Sequence, residues 1–448
     1  MIAFILLVFY LSVMLWSFGK LPLFVNSKLT AKGLSALFLL KLTFSIGLVL
    51  VYTYYYTDRG LADVYKYFDD GNTIHASIGA HPKAAFKVIT GIGFDHNDPD
   101  IKAVLANTHH FDKKGEGFVE SNHRITIRVN VLLRFLSYGS IYVHTLFFCF
   151  LSFIGSVALY RVSRLFFDKG TGMLLIIPIF LLPSLLFWAS GPLQESLVLF
   201  FLGILFFSAV KLVNMKNIFA NLFLVIIFLN LLYLAKPFIA ISFLLSFYIM
   251  GTFHFKGYIR IVAILVATLG IMWFCYAHNT FICEISSSMV SKRNDFVSLG
   301  LKMKAGSLVD NKIYDTGCLS PVPLIPSALY NMFLQPFVWS HGVFEKLFGL
   351  ENLLVLLLTV FTLFNFQRPK AAKLQLAVFC LCFFLLNYVL IGVTVPIIGA
   401  LVRYKIFGLL FYLVLLVCLL DLNKIIFIIN KSNLLLKLTQ RAQKMLFA

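Results

Sequence analysis

Apolar runs of membrane-spanning length recur along this chain from Met1 to Ile429, and burying that many of them calls for a bilayer rather than a water-facing shell. They fall at 2–18, 34–56, 140–160, 173–189, 193–210, 218–234, 238–253, 259–277, 350–366, 374–395 and 406–422. The pattern predicts an all-α polytopic membrane protein with about eleven transmembrane helices. Composition agrees, at 60% apolar and 13% charged, against about 45–50% and about 25% in soluble domains. A secreted or cytosolic globular enzyme is excluded. The first run, IAFILLVFYLSVMLWSF, has no basic n-region and no small-residue cleavage site before Lys20, so it reads as a retained span.

A net charge of +19 would suggest nucleic acid in a soluble protein, but here it is read by side. With an external N-terminus, Lys20, Lys28 and Lys32, then Arg161 and Arg164, Lys211 and Lys216, Lys256 and Arg260, Arg368 to Lys373 and the basic tail all fall on the cytoplasmic side. Of nineteen acidic residues only Asp168 and Asp421 join them. Topology thus accounts for the charge, and no nucleic acid partner is expected. Short cytoplasmic connections and no sorting motif predict a multi-pass protein of a bacterial inner membrane, with a cytoplasmic C-terminus.

The chain reads as one transmembrane domain, 1–448, without repeats. Two external segments are long, 57–139 and 278–349, and any water-soluble chemistry has its room there. Residues 84–93 and 125–137 in the first are mildly amphipathic, too short to span, and read as interfacial helices. The tail at 424–448 suits a cytoplasmic surface helix on anionic lipid. Most of the seven cysteines lie in apolar runs, but Cys283 and Cys318 share the second external segment and could pair in an oxidising compartment.

Three constellations carry candidate chemistry. Asp58, Asp63, Asp69 and Asp70 follow the second span, interleaved with Tyr65, Tyr67 and Phe68. Carboxylates at the mouth of a membrane cavity can act as general bases, and the aromatics offer faces to a sugar ring. The plainer alternative is an acidic turn closed by Asp70-Gly71-Asn72. In PSLLFWASGPLQE, Glu195 lies near the apolar phase, either as a functional acid or as a carboxylate complementing a helix N-terminus. Lys236, Arg403, Arg124 and Arg128 are cations at external boundaries, suited to a carrier phosphate or to snorkelling at a helix end. His109-His110-x-Asp112 is a poor metal cluster, because adjacent histidines point apart, and HExxH and CxxC are absent. A divalent metal is unsupported, no cofactor is expected, and the absence of a Walker motif, GxGxxG or GxSxG removes nucleotide-driven and serine-hydrolase chemistry.

On the Tyr67-Phe68-Asp69-Asp70 segment after an early span, the two short helices within it and the spans that follow, the chain resembles the GT-C class of polytopic glycosyltransferases. It also resembles bacterial envelope proteins related to them, through PSLLFWASGPLQES, the stretch from Pro326 to Trp339 and GALVRYK, with Gln194 where such proteins often carry Lys. The resemblance implies an inverting transfer of sugar from a polyprenyl-phosphate carrier to a lipid-linked or glycan acceptor. It implies Asp69 or Asp70 as base, Glu195 as a further acid, Asp58, Asp63, Tyr67, Arg124 and Arg128 at the substrate, and Lys236 and Arg403 on carrier phosphate. The alternatives are an O-antigen-type polymerase or ligase working through Arg124, Arg128 and Arg403, and a transporter or flippase of lipid-linked substrates.

Overall fold

A computed structural model describes residues 1–421 apart from 57, 61, 112–122, 168–170, 254–261, 263, 264, 267, 271, 272, 274, 275, 303–306 and 341. The tail expected at 424–448 and much of the run at 259–277 lie outside the described residues. In chain order the helices are α1 (Ile2–Ser17), α2 (Pro22–Val25), α3 (Ala31–Tyr54), α4 (Asp63–Ala76), α5 (Pro82–Thr90), α6 (Pro99–Leu105), α7 (Arg124–Ser137), α8 (Ile141–Arg164), α9 (Pro183–Trp188), α10 (Gln194–Val213), α11 (Ile218–Ala235), α12 (Pro237–Thr252), α13 (Asn279–Lys302), α14 (Ile325–Leu334), α15 (Val343–Phe364), α16 (Ala371–Thr394), α17 (Ile398–Tyr404) and α18 (Ile406–Leu419).

Among the described residues six of these, α3, α8, α10, α11, α15 and α16, are long and apolar enough to cross a membrane. The pair α17 and α18, bent by 54°, makes a seventh candidate as one broken span. The chain is therefore a multi-pass helical membrane protein. Other apolar runs become shorter or interrupted pieces, so eleven runs do not give eleven continuous helices. α1 and α12 have 16 residues each. The run at 173–189 passes from a 3-10 turn (Thr171–Leu175) through a π-helical turn (Ile177–Leu181) into α9, because Pro178 and Pro183 each lack an N–H donor and obstruct the turn before them.

One large apolar core joins α3, α8, α10, α12, α16 and α18, with Phe206 stacked on Phe379 at 4.5 Å near its centre. α8 and α10 touch through Gly155 and Gly203, where a Cβ on Gly203 would lie 2.7 Å from the Gly155 Cα. Small residues permit such close backbone contact in a membrane bundle. Between α9 and α10 the helix is unwound over 189–193, and hydroxyls replace the lost ladder. Ser45 Oγ donates to Ser190 O at 2.6 Å, Ser152 Oγ to Ala189 O, and Ser196 Oγ to Gly191 O at 2.6 Å.

The described residues of 57–139 form a small helical lobe of α4 to α7 whose own core includes Val64, Tyr67, Val88, Ile101, Ile127 and Val131. Leu48, Val49 and Leu193 share that core and fasten the lobe to the bundle. The helices expected near 84–93 and 125–137 are α5 and α7. Asp70-Gly71-Asn72 does not close a turn but lies inside α4, since Gly71 is where α7 packs: a Cβ there would be 2.7 Å from Asn130 Cβ. In the second segment α13 and α14 pack on α16, and Cys283 and Cys318 are joined in a disulfide.

Candidate functional site

Both segments reach the same end of the bundle, and a cleft of about 710 Å³ opens between them. Tyr52, Tyr56, Phe344, Phe187, Trp188 and Phe348 form its aromatic wall, each ring centre 5.0 to 6.2 Å from the next. The sequence arguments overlooked this wall. Trp188 stands in the stretch singled out for Glu195, but the pairing of Phe187 and Trp188 with Phe344 and Phe348 joins residues more than 150 positions apart.

At the inner end of the cleft four charged side chains from four places in the chain converge. Glu195, in the first turn of α10, is 0% exposed and accepts Lys236 Nζ at 2.7 Å and Arg403 Nη2 at 2.8 Å. Arg403 Nη1 holds Asp63 Oδ2. Lys236 is the residue between α11 and α12; the following Pro237 keeps it extended, at φ −143° and ψ 93°, and its ammonium lies 4.1 Å from the centre of the Tyr404 ring. Glu195 stands in the first turn of a helix, as the plainer of its two readings expected, and both its oxygens are taken by cations. Burial would raise the Asp63 carboxyl, but Arg403 and then Lys66 pull it down to about 2, so it stays ionised.

The other candidates are dispersed. Asp58 lines the cleft; its Oδ1 accepts Gly60 N at 2.9 Å, and no cation among the described residues pairs with it. Asp69, one of the two aspartates the resemblance offered as base, lies outside the cleft lining, clamped by Arg59 through Nε at 2.8 Å and Nη2 at 2.6 Å. Asp70 is on the same face of α4 as Asp63 but about two turns, ~10 Å, farther along. It is 1% exposed and accepts the backbone N–H groups of His109, His110 and Phe111 at 3.0, 2.7 and 2.6 Å. Its role is to fix the lobe, and those histidines meet it through backbone rather than rings. Arg128 Nε donates to Val88 O at 2.8 Å, and the Arg124 guanidinium lies 5.1 and 5.5 Å from the Phe94 and Phe111 ring centres. Neither arginine lines the cleft. Lys405 was missed altogether: at the α17–α18 bend its Nζ donates to Gln335 O at 2.7 Å, tying the second segment to the same bend that carries Arg403. Among the described residues no three His, Cys, Asp or Glu side chains are grouped to hold a metal; Asp112 is outside them.

Tyr67 lies one turn beyond Asp63, 1% exposed, with Oη 2.8 Å from His123 Nδ1. Burial drives the His123 imidazole from its ordinary 6.5 to about 4, with Asp63 opposing the change. The folded value lies below the unfolded one, so the unfolded chain binds the proton first and stability drains away as pH falls from about 6.5 to about 4, by up to about 3 kcal/mol. Thermal unfolding across that window is expected to show the loss, and His123→Gln to flatten it.

Compared with known proteins, the chain matches no family model, no curated protein and no solved structure.

Proposed function

We propose that this protein is an integral membrane glycosyltransferase, passing a sugar from a polyprenyl-phosphate carrier to an acceptor at the non-cytoplasmic face of a bacterial inner membrane. The observation that supports it is the cleft itself: flat aromatic faces above carboxylates, at the end of an apolar bundle where a lipid tail has helices to lie against. Aromatic faces pack on the apolar side of a sugar ring, and carboxylates accept its hydroxyls. The Cys283–Cys318 disulfide favours turning this end toward an oxidising compartment, in accord with an external N-terminus and eleven crossings.

Asp58 becomes the general base in this reading, as a cleft carboxylate without a cation among the described residues; Glu345, the other such carboxylate, accepts Gly342 N at the start of α15, and Asp63, held ionised by Arg403, orients the acceptor. The acceptor hydroxyl gives its proton to Asp58 as it attacks the anomeric carbon, and the carrier leaves as its phosphate, with inversion. Lys236 and Arg403 serve by neutralising Glu195 and Asp63 so that the acidic wall can exist at membrane depth. In proteoliposomes supplied with polyprenyl-phosphate sugars, the full chain is expected to release polyprenyl phosphate. Asp58→Asn should slow that release by about 10²-fold or more, and Asp69→Asn by no more than about 3-fold, the effect of a surface ion pair. Loss on Asp69→Asn with Asp58→Asn active would overturn the assignment, and no release from any such carrier would overturn the reaction. Arg403, the one cation lining the cleft among the described residues, favours the polymerase or ligase as second reading; it gains if Asp58→Asn is tolerated and Arg403→Lys is not.

A further inference from the structure

Two N–H donors from residues of the cleft wall have no acceptor among the described residues. Trp188 Nε1 and Arg403 Nε are both shielded from solvent and both lack a hydrogen-bond partner there, although the two residues line the cleft. Arg403 is 7% exposed, and its guanidinium carbon lies 5.8 Å from the centre of the Trp188 ring, so the two side chains are neighbours. Buried donors are satisfied almost everywhere in native proteins, and an exception in a ligand cleft points to an acceptor brought by the ligand.

The charges nearby decide what kind of acceptor. The other two nitrogens of Arg403 are occupied, Nη1 by Asp63 and Nη2 by Glu195 at 2.8 Å, and Lys236 holds the second oxygen of Glu195 at 2.7 Å. Asp63 and Glu195 are opposed by Arg403, Lys236 and, 3.3 Å from Asp63 Oδ1, Lys66; with Asp58 and Glu345 also lining the cleft, four carboxylates face three cations and the cleft carries no surplus positive charge. An anion placed on Arg403 Nε would face the Asp63 carboxylate held by the same guanidinium, a like-charge contact in a poorly solvated place. An uncharged oxygen takes both donors without that repulsion. Trp188 also supplies a flat surface beside its N–H, its ring stacked on Phe348 at 6.1 Å and 30°, which suits a sugar ring and gives nothing to a bare phosphate.

Resting on the glycosyltransferase reading, we infer that this end of the cleft is a subsite for an uncharged oxygen of a glycosyl unit, a hydroxyl, ring oxygen or N-acyl carbonyl, held by Trp188 Nε1–H and Arg403 Nε–H. It discriminates against phosphate and carboxylate. The expectation that Arg403 meets carrier phosphate is thereby replaced: the arginine reads the sugar, and its charge belongs to Glu195 and Asp63.

The test uses the full chain in nanodiscs, with tryptophan emission as readout and Trp188→Phe to identify the responding ring. Methyl glycosides of N-acetylglucosamine, glucose and galactose are the neutral probes; methyl glucuronide and inorganic pyrophosphate are the anionic ones. At least one neutral glycoside is expected to give a saturable change, lost in Trp188→Phe, with affinity roughly 10-fold or more above either anion. Asp63→Asn, which removes the carboxylate facing the anion, should raise the ratio of pyrophosphate to neutral-glycoside affinity by roughly 10-fold. Native protein that binds pyrophosphate or glucuronide as tightly as its best neutral glycoside, or binds no neutral glycoside, overturns the inference; so does an Asp63→Asn variant, folded by circular dichroism, with an unchanged preference. Release of polyprenyl phosphate by a protein that fails this test removes the subsite and keeps the reaction. A neutral-sugar response without such release does the reverse.

Discussion

Arg403→Ala is expected to lower the unfolding free energy by about 3–5 kcal/mol, the usual cost of leaving a buried charge without its partner. Glu195 is 0% exposed and Lys236 1%, and neither is able to turn to water when Arg403 is removed. Glu195 then keeps only Lys236 and Asp63 only the partly exposed Lys66, and the guanidinium that joined the two carboxylates is gone. Arg403→Lys keeps the charge but cannot span Asp63 and Glu195 with one planar fork, so it is expected to lose about half as much. Glu195→Gln strands Lys236 in the same way, whereas Glu195→Gln combined with Lys236→Met removes one charge of each sign and should restore much of the stability lost by Glu195→Gln. Chemical unfolding in detergent, followed by circular dichroism, reads all four. Single variants that cost less than about 1 kcal/mol would mean that the cluster is hydrated and worth no more than a surface pair.

That cluster also shows what a sequence can and cannot disclose. Membrane residence was legible because spanning a bilayer demands apolar runs of fixed length, and Lys236, Glu195 and Arg403 stood out because charge at such depth is costly. Their partnership was not legible: the Glu195–Arg403 contact spans 208 positions, and linear spacing says nothing of it. The aspartates show the opposite failure. Asp69 and Asp70 attracted attention as an adjacent pair next to aromatics, but a helix sends adjacent residues to different sides. One therefore meets Arg59 on the surface, and the other is taken by three backbone amides inside the lobe. Asp63, about two turns of α4 before Asp70, had the same composition around it and no distinguishing neighbour in the chain. Proline positions were visible as well, but the unwound stretch 189–193 that follows depends on serines of α3, α8 and α10 reaching its carbonyls, which spacing does not show.

Gly203→Leu is expected to be the most damaging single change in the bundle away from the charged cluster. A Cβ on Gly203 would lie 2.6 Å from the Gly155 carbonyl carbon and 2.7 Å from its Cα, closer than a methyl and a backbone atom can approach. Because the obstacle is main chain, no rotamer relieves it, and α10 has to move off α8. Ser152 and Ser45 donate across this region to Ala189 and Ser190, so a shift of α8 or α10 also unpairs the unwound backbone ahead of Glu195. Overpacking of this sort costs about 3 kcal/mol or more when the backbone must yield. Leucine loses more through the rest of its side chain, but Gly203→Ala sets the same Cβ against the same main chain and is itself expected to lose about 3 kcal/mol. The same substitution at Gly47 on α3 meets nothing within 4 Å and should be neutral or stabilise by about 0.5–1 kcal/mol, since it removes backbone freedom from the unfolded chain. Opposite signs for alanine at positions 203 and 47, measured by thermal unfolding in one detergent, would separate a steric contact from a general intolerance of glycine replacement. Equal losses at both would show that α8 and α10 do not touch through their glycines.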